Sequence, residues 1–173
     1  MNCRRYLAAL LLLCFLPLNA ERRRDPLTPG EVDQLRDAAQ DPDQRVKLFL
    51  QFARARLSAI EQVRADPKET NRAQQTHDRL QDFLDVYDEL NDNLDTFVER
   101  KADLRKAAKS VIDADTEFQA RLRAIKTSIE NSKEEKRQYD FVLTDALDAV
   151  NSSVPDHRQL LAEQEEAAKH KKK

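Results

Sequence analysis

The chain has 173 residues, 30 of them Lys or Arg and 32 Asp or Glu, for a formal net charge of -2 at neutral pH. That balance excludes the large positive field of a general nucleic-acid binder. One glycine and no tryptophan leave neither glycine-rich phosphate cradles nor the tight turns a β-sheet protein needs. Ala, Leu, Glu, Asp, Gln, Lys and Arg dominate, so composition predicts an all-α protein.

Arg4 and Arg5 precede an apolar run from Tyr6 to Leu18, which Leu18-Asn19-Ala20 closes. This is the order of a secretory signal peptide over residues 1–20, with cleavage expected after Ala20. The run falls short of the ~20 residues a helix needs to cross a bilayer. No transmembrane segment is therefore expected after signal removal, and the chain reads as exported, either periplasmic or secreted. Cys3 and Cys14 both lie in the part to be removed, which leaves the mature chain without disulfides or thiolate metal ligands.

Residues 21–27 read as a flexible mature N-terminus, followed by one helical domain over 28–168 and a basic tail over 169–173. A recurring device marks helix starts: a capping residue, then proline, then an acid or amide three positions after the cap. It occurs as Thr28-Pro29-Gly30-Glu31, Asp41-Pro42-Asp43-Gln44 and Asp66-Pro67-Lys68-Glu69. The cap oxygen accepts an orphan backbone N–H, and proline lacks a donor that would be unpaired there. Helices are accordingly expected over about 29–40 and 42–65, and from about 68 onward. The second carries Val46, Phe49, Leu50, Ala53, Leu57, Ile60 and Val63 as a broad apolar stripe.

From Leu80 an apolar seam runs in alternating steps of three and four residues. It passes through Phe83, Tyr87, Leu90, Leu94, Phe97, Leu104, Ala108, Val111, Phe118, Leu122, Ile125, Ile129, Tyr139, Leu143 and Ala146 to Val150, with Lys101, Asp115, Ser132 and Lys136 as its polar members. Such phase retention predicts coiled-coil-like packing. The consecutive failures at Ser132 and Lys136, beside a Ser-x-x-Glu cap, predict a turn at 131–133. A break near 100 or 112 would give a more compact bundle, but neither place contains glycine or proline. The expected architecture is thus an elongated helical bundle with one long central helix over about 68–130, roughly 90 Å long. Helices over 133–151 and, after Ser153-Val154-Pro155-Asp156, over 155–168 complete it.

No catalytic or cofactor-binding residue stands out. His77, His157 and His170 are the only histidines, they lack the spacing of helical zinc or di-iron sites, and they read as surface residues. Asp78, Asp82, Asp85, Glu89 and Asp92 recur at helical spacing and form an acidic stripe, the one candidate surface for a divalent cation. The basic block Arg100, Lys101, Arg105, Lys106 and Lys109 follows it, a charge asymmetry suited to pairing between copies. Phe52 and Phe141 lie off the simplest stripe, as fillers of a second interface or as an exposed contact site. Lys169, Lys171, Lys172 and Lys173 are suited to weak electrostatic contact with anionic surfaces.

Abundant seam and charge, with few glycine loops, cysteines or histidines, point to a non-enzymatic exported helical interaction protein without a cofactor. Envelope scaffold, adaptor and chaperone-like binder all fit, with a protein partner or self-association. The alternative is a divalent-cation-binding protein using residues 78–92.

Overall fold

The computed structural model describes residues 25–170. The signal-peptide reading of 1–20, cleavage after Ala20 and the contacts of Lys171, Lys172 and Lys173 fall outside them. Five helices and no strand are found among the described residues: α1 Pro29–Asp37, α2 Pro42–Ala65, α3 Arg72–Glu99, α4 Arg105–Ser128 and α5 Lys133–His170. None is long and apolar enough to cross a membrane.

Caps decide where most of these helices begin. Thr28 Oγ1 accepts from Glu31 N while Glu31 Oε2 accepts from Thr28 N, a complete capping box. Asp41 Oδ1 accepts from Gln44 N at 3.0 Å, and Ser132 Oγ from Glu135 N at 3.3 Å. At Asp66-Pro67 the same sequence device does something else. Asp66 Oδ1 accepts from Lys68 N at 2.9 Å, two residues on rather than three, which closes a turn of the Asx type. The helix expected from 68 starts at Arg72 instead, and α1 stops at Asp37 rather than 40.

The long central helix over 68–130 does not form, because α3 ends at Glu99 and α4 begins at Arg105. Ala102 N donates to Phe97 O at 3.0 Å and Lys101 N to Val98 O at 2.9 Å, with Lys101 at φ 57°. Those two bonds and a left-handed residue make a Schellman termination, with lysine where glycine is usual. No break occurs near 112. Conversely, the helices expected over 133–151 and 155–168 are one, with Pro155 inside α5.

Cross-helix bonds define the topology. Asp43–Lys106, Arg54–Glu117, Glu61–Arg121 and Arg64–Ser128 contacts run in register, so α2 and α4 lie side by side and parallel. Lys126–Asp140, Gln119–Asn151 and Lys109–Glu165 contacts make α4 and α5 antiparallel. Arg45 Nε donates to Asn93 Oδ1 at 2.6 Å where α2 and α3 pack antiparallel. α3 and α5 are also neighbours, whereas α3 and α4 sit across the diagonal. The result is a bundle of four main helices whose seams cover one another, each α2–α4 helix about 36–42 Å long at 1.5 Å per residue. The short α1 lies on α2, where Arg56 binds both Glu31 carboxylate oxygens and Pro26 O at 2.7 Å.

The diagonal is filled by aromatic rings. Phe83 and Phe118 meet edge to face at 5.3 Å between centroids, and Tyr87 and Phe118 at 6.2 Å, a geometry worth about 0.5–1.5 kcal/mol per pair beyond burial. Seam residues from Leu80 to Val150 are buried, Asp115 included, whereas Lys101 and Lys136 are exposed and Ser132 half-buried. At the turn end of the bundle Arg64 donates to the Tyr139 hydroxyl and to Ser128 Oγ, and pairs with Glu135, tying α2, α4 and α5 together.

Candidate functional site

Inside the aromatic core lies a connected set of polar side chains. Residues one helical turn apart share a face: α3 presents Tyr87 and Asn91, α5 presents Ser153 and His157, and α4 contributes Asp115. The Tyr87 hydroxyl donates to Asp115 Oδ1 at 2.8 Å. His157 Nδ1 lies 2.8 Å from Asp115 Oδ2, and His157 Nε2 lies 3.0 Å from Asn91 Oδ1. Asn91 Nδ2 donates to Ser153 Oγ at 3.3 Å, and Ser153 Oγ donates to Ala149 O at 3.0 Å.

Asp115 is 1% exposed and His157 5%. A carboxylate so far from water is retained only with partners for its charge and lone pairs; here they are a phenol and an imidazole. Burial, and then the neighbouring Asp115 carboxylate, push the Tyr87 phenol well above its ordinary range, so it serves as a neutral donor. His157 also stands edge-on to the Tyr87 ring at 6.5 Å. Over the set opens a surface groove of about 380 Å³, whose walls include Leu94, Asp95, Val98, Asp156 and Leu160.

Chemically this is an imidazole oriented by a carboxylate, without a nucleophile on its other nitrogen. Ser153 Oγ is bonded to Asn91 rather than to His157 and spends its proton on Ala149 O. The arrangement joins three helices on one buried carboxylate.

The members of the acidic stripe differ in burial, and Asp85, Glu89 and Asp92 line one surface groove with Asp25 and Asp88. Asp82 and Asp85 are buried, Asp82 being 3.5 Å from Arg79 and Asp85 accepting from Gln81 Nε2 at 2.9 Å. Asp78 accepts from Gln74 Nε2 at 2.8 Å, while Glu89 and Asp92 are exposed. Among the described residues no group of three or more His, Cys, Asp or Glu is placed to hold a metal ion. The basic block straddles the break between α3 and α4. Arg105 pairs with Asp103, Lys106 with Asp43 and Lys109 with Glu165.

His157, expected at the surface, is a core residue. The signal for it was present: continued past Val150, the three-and-four rhythm reaches Ser153, His157, Leu160 and Gln164. Gln164 Oε1 accepts from Leu104 N at 3.2 Å, so this inward face also anchors the loop that ends α3. Arg56 was missed for a different reason, since its burial depends on α1 lying over α2. Of the two off-stripe phenylalanines, Phe52 is buried and Phe141 is 81% exposed.

No protein-family model, no curated protein and no solved structure matches the chain.

Proposed function

We propose that this is an exported, non-enzymatic interaction protein that binds a protein partner through the outer face of α5, with Phe141 as the anchor. The observation that carries the reading is the 81% exposure of Phe141 on a helix whose inner face buries Tyr139, Val142, Leu143, Ala146 and Val150. The other described phenylalanines and tyrosines, Phe49, Phe52, Phe83, Phe97, Phe118, Tyr87 and Tyr139, are buried. Leaving an aromatic side chain in water forgoes about 1.5–3 kcal/mol of burial. Rigid aromatic side chains are the common energetic centres of interfaces. Export is supported by the Met1–Ala20 pattern.

A photo-crosslinking residue placed at 141, compared with one at exposed Ala162, tests this in the source cells. Discrete adducts from 141 that excess unlabelled protein competes away, and that Ala162 does not give, are expected. Equal, diffuse labelling from both positions would remove the basis for the reading.

A further inference from the structure

We propose that His157 is a protonation switch that fastens the last part of α5 to α3 and α4. It rests on the hydrogen-bond order of the buried network and is independent of the role given to Phe141. Ser153 Oγ gives its proton to Ala149 O, so toward Asn91 it can only accept, and Asn91 must turn its NH₂ to Ser153. Asn91 Oδ1 then faces His157 Nε2 at 3.0 Å, while a carboxylate oxygen of Asp115 faces Nδ1 at 2.8 Å. Both atoms meeting the ring are acceptors, and only an imidazolium supplies two N–H donors. The charged ring also gives buried Asp115 its countercharge.

The groups around the ring come from each neighbouring element: Tyr87 and Asp95 from α3, Asp115 from α4, and Asp156 and Glu163 from α5 itself. Tyr87 donates to Asp115 rather than to the ring, and the others are acids.

Loss of the Nε2 proton to water in the groove sets the nitrogen lone pair against Asn91 Oδ1. Relief requires Asn91 to reverse its amide so that Nδ2 donates to Nε2. Oδ1 then needs a donor from Ser153, whose proton must leave Ala149 O. These changes fall on the turn of α5 beside Pro155, which supplies no backbone N–H to the helix. The neutral ring also leaves buried Asp115 without its countercharge, and so loosens α5 from Ser153 onward and widens the groove between Leu94 and Leu160. The protonated ring closes it.

The test is long-range ¹H–¹⁵N NMR of the His157 ring with amide hydrogen exchange of residues 156–170, at about pH 5.5 and about pH 8.5. The switch requires both ring nitrogens protonated at the lower pH and Nε2 bare at the higher. Exchange in 156–170, corrected for its intrinsic pH dependence, should be at least tenfold faster at the higher pH, and His157→Gln should abolish that difference. A bare Nε2 at the lower pH overturns the proposal on the unaltered protein, whether or not the variant folds. So does a difference in exchange that His157→Gln leaves intact.

Discussion

Tyr87 and Asp115 meet across the diagonal of the bundle, where the phenol hydroxyl donates to Oδ1 at 2.8 Å, although α3 and α4 are not neighbouring helices. This contact and the His157–Asp115 contact put three helices on one carboxylate. Tyr87→Phe removes one bond to a charged acceptor and should cost about 1.5–3 kcal/mol. Asp115→Ala leaves the imidazole facing Asn91 without its carboxylate and should cost about 3–5 kcal/mol. Urea unfolding midpoints at equal slope check the order. A larger loss for Tyr87→Phe would mean that the carboxylate is not the centre of the network.

Lys101 holds a left-handed conformation at φ 57°, which costs a residue with a Cβ roughly 1–2 kcal/mol. Lys101→Gly should therefore stabilise the protein by about 0.5–1 kcal/mol after the greater freedom of glycine in the unfolded chain is subtracted. Calorimetry should show a rise in Tm of about 2–4 °C. Lys101→Val should lower Tm, since a β-branched residue tolerates this region poorly.

Acid should release α1 before the bundle. Burial pushes the Glu31 carboxyl up, but the Arg56 hydrogen bonds and then the Thr28 backbone N–H outweigh it and hold the carboxyl below its ordinary 4.5. A lowered folded value favours the native state above the unfolded value, and the benefit fades as pH falls through the folded one. Hydrogen exchange in residues 29–37 should rise as pH drops below about 4.5. Glu31→Gln should show that faster exchange already at neutral pH, with little further acid response.

Alkali acts about two turns further along α2, at Arg64. Burial is the main cause that pushes the Tyr139 phenol up to about 12, with the nearby Arg64 charge opposing it. A raised folded value means that the associated stability is complete below the unfolded value of 10.0 and is lost as pH rises through about 12. Tyr139 should stay unionised at about pH 10.5, and its ring signals should shift only as the fold loosens. Ionisation of Tyr139 in a fully folded chain near its ordinary value would contradict the buried Arg64–Tyr139 contact.

Much of the architecture was legible because it rests on local chemistry. Thr28, Asp41 and Ser132 cap helices where their spacing to Glu31, Gln44 and Glu135 says they should. The seam residues from Leu80 to Val150 mark the core. The two large errors are backbone exceptions. Lys101 occupies a position that normally advertises itself as glycine, so the break near 100 stands in the sequence only as the less favoured alternative, although the structure has it there. Pro155 normally advertises a helix boundary, but Asn91, Asp115 and Leu104 hold Ser153, His157 and Gln164 from outside the helix and carry α5 through it. The same two exceptions hid the site. Asp115 stood in the seam as an unexplained polar member, and its partner lay beyond the proline.

The closed bundle is tested most directly by a distance between spin labels on Thr70 and Glu130, both exposed residues in the turns that flank α3 and α4. If the chain reverses at residues 100–104, both turns lie at one end, across a diagonal of about 14 Å between helix axes, and the label separation should fall below about 30 Å. An unbroken helix over 68–130 would instead hold the labels about 90 Å apart. A distribution centred at that long distance would contradict the bundle and, with it, the burial of His157 against Asp115.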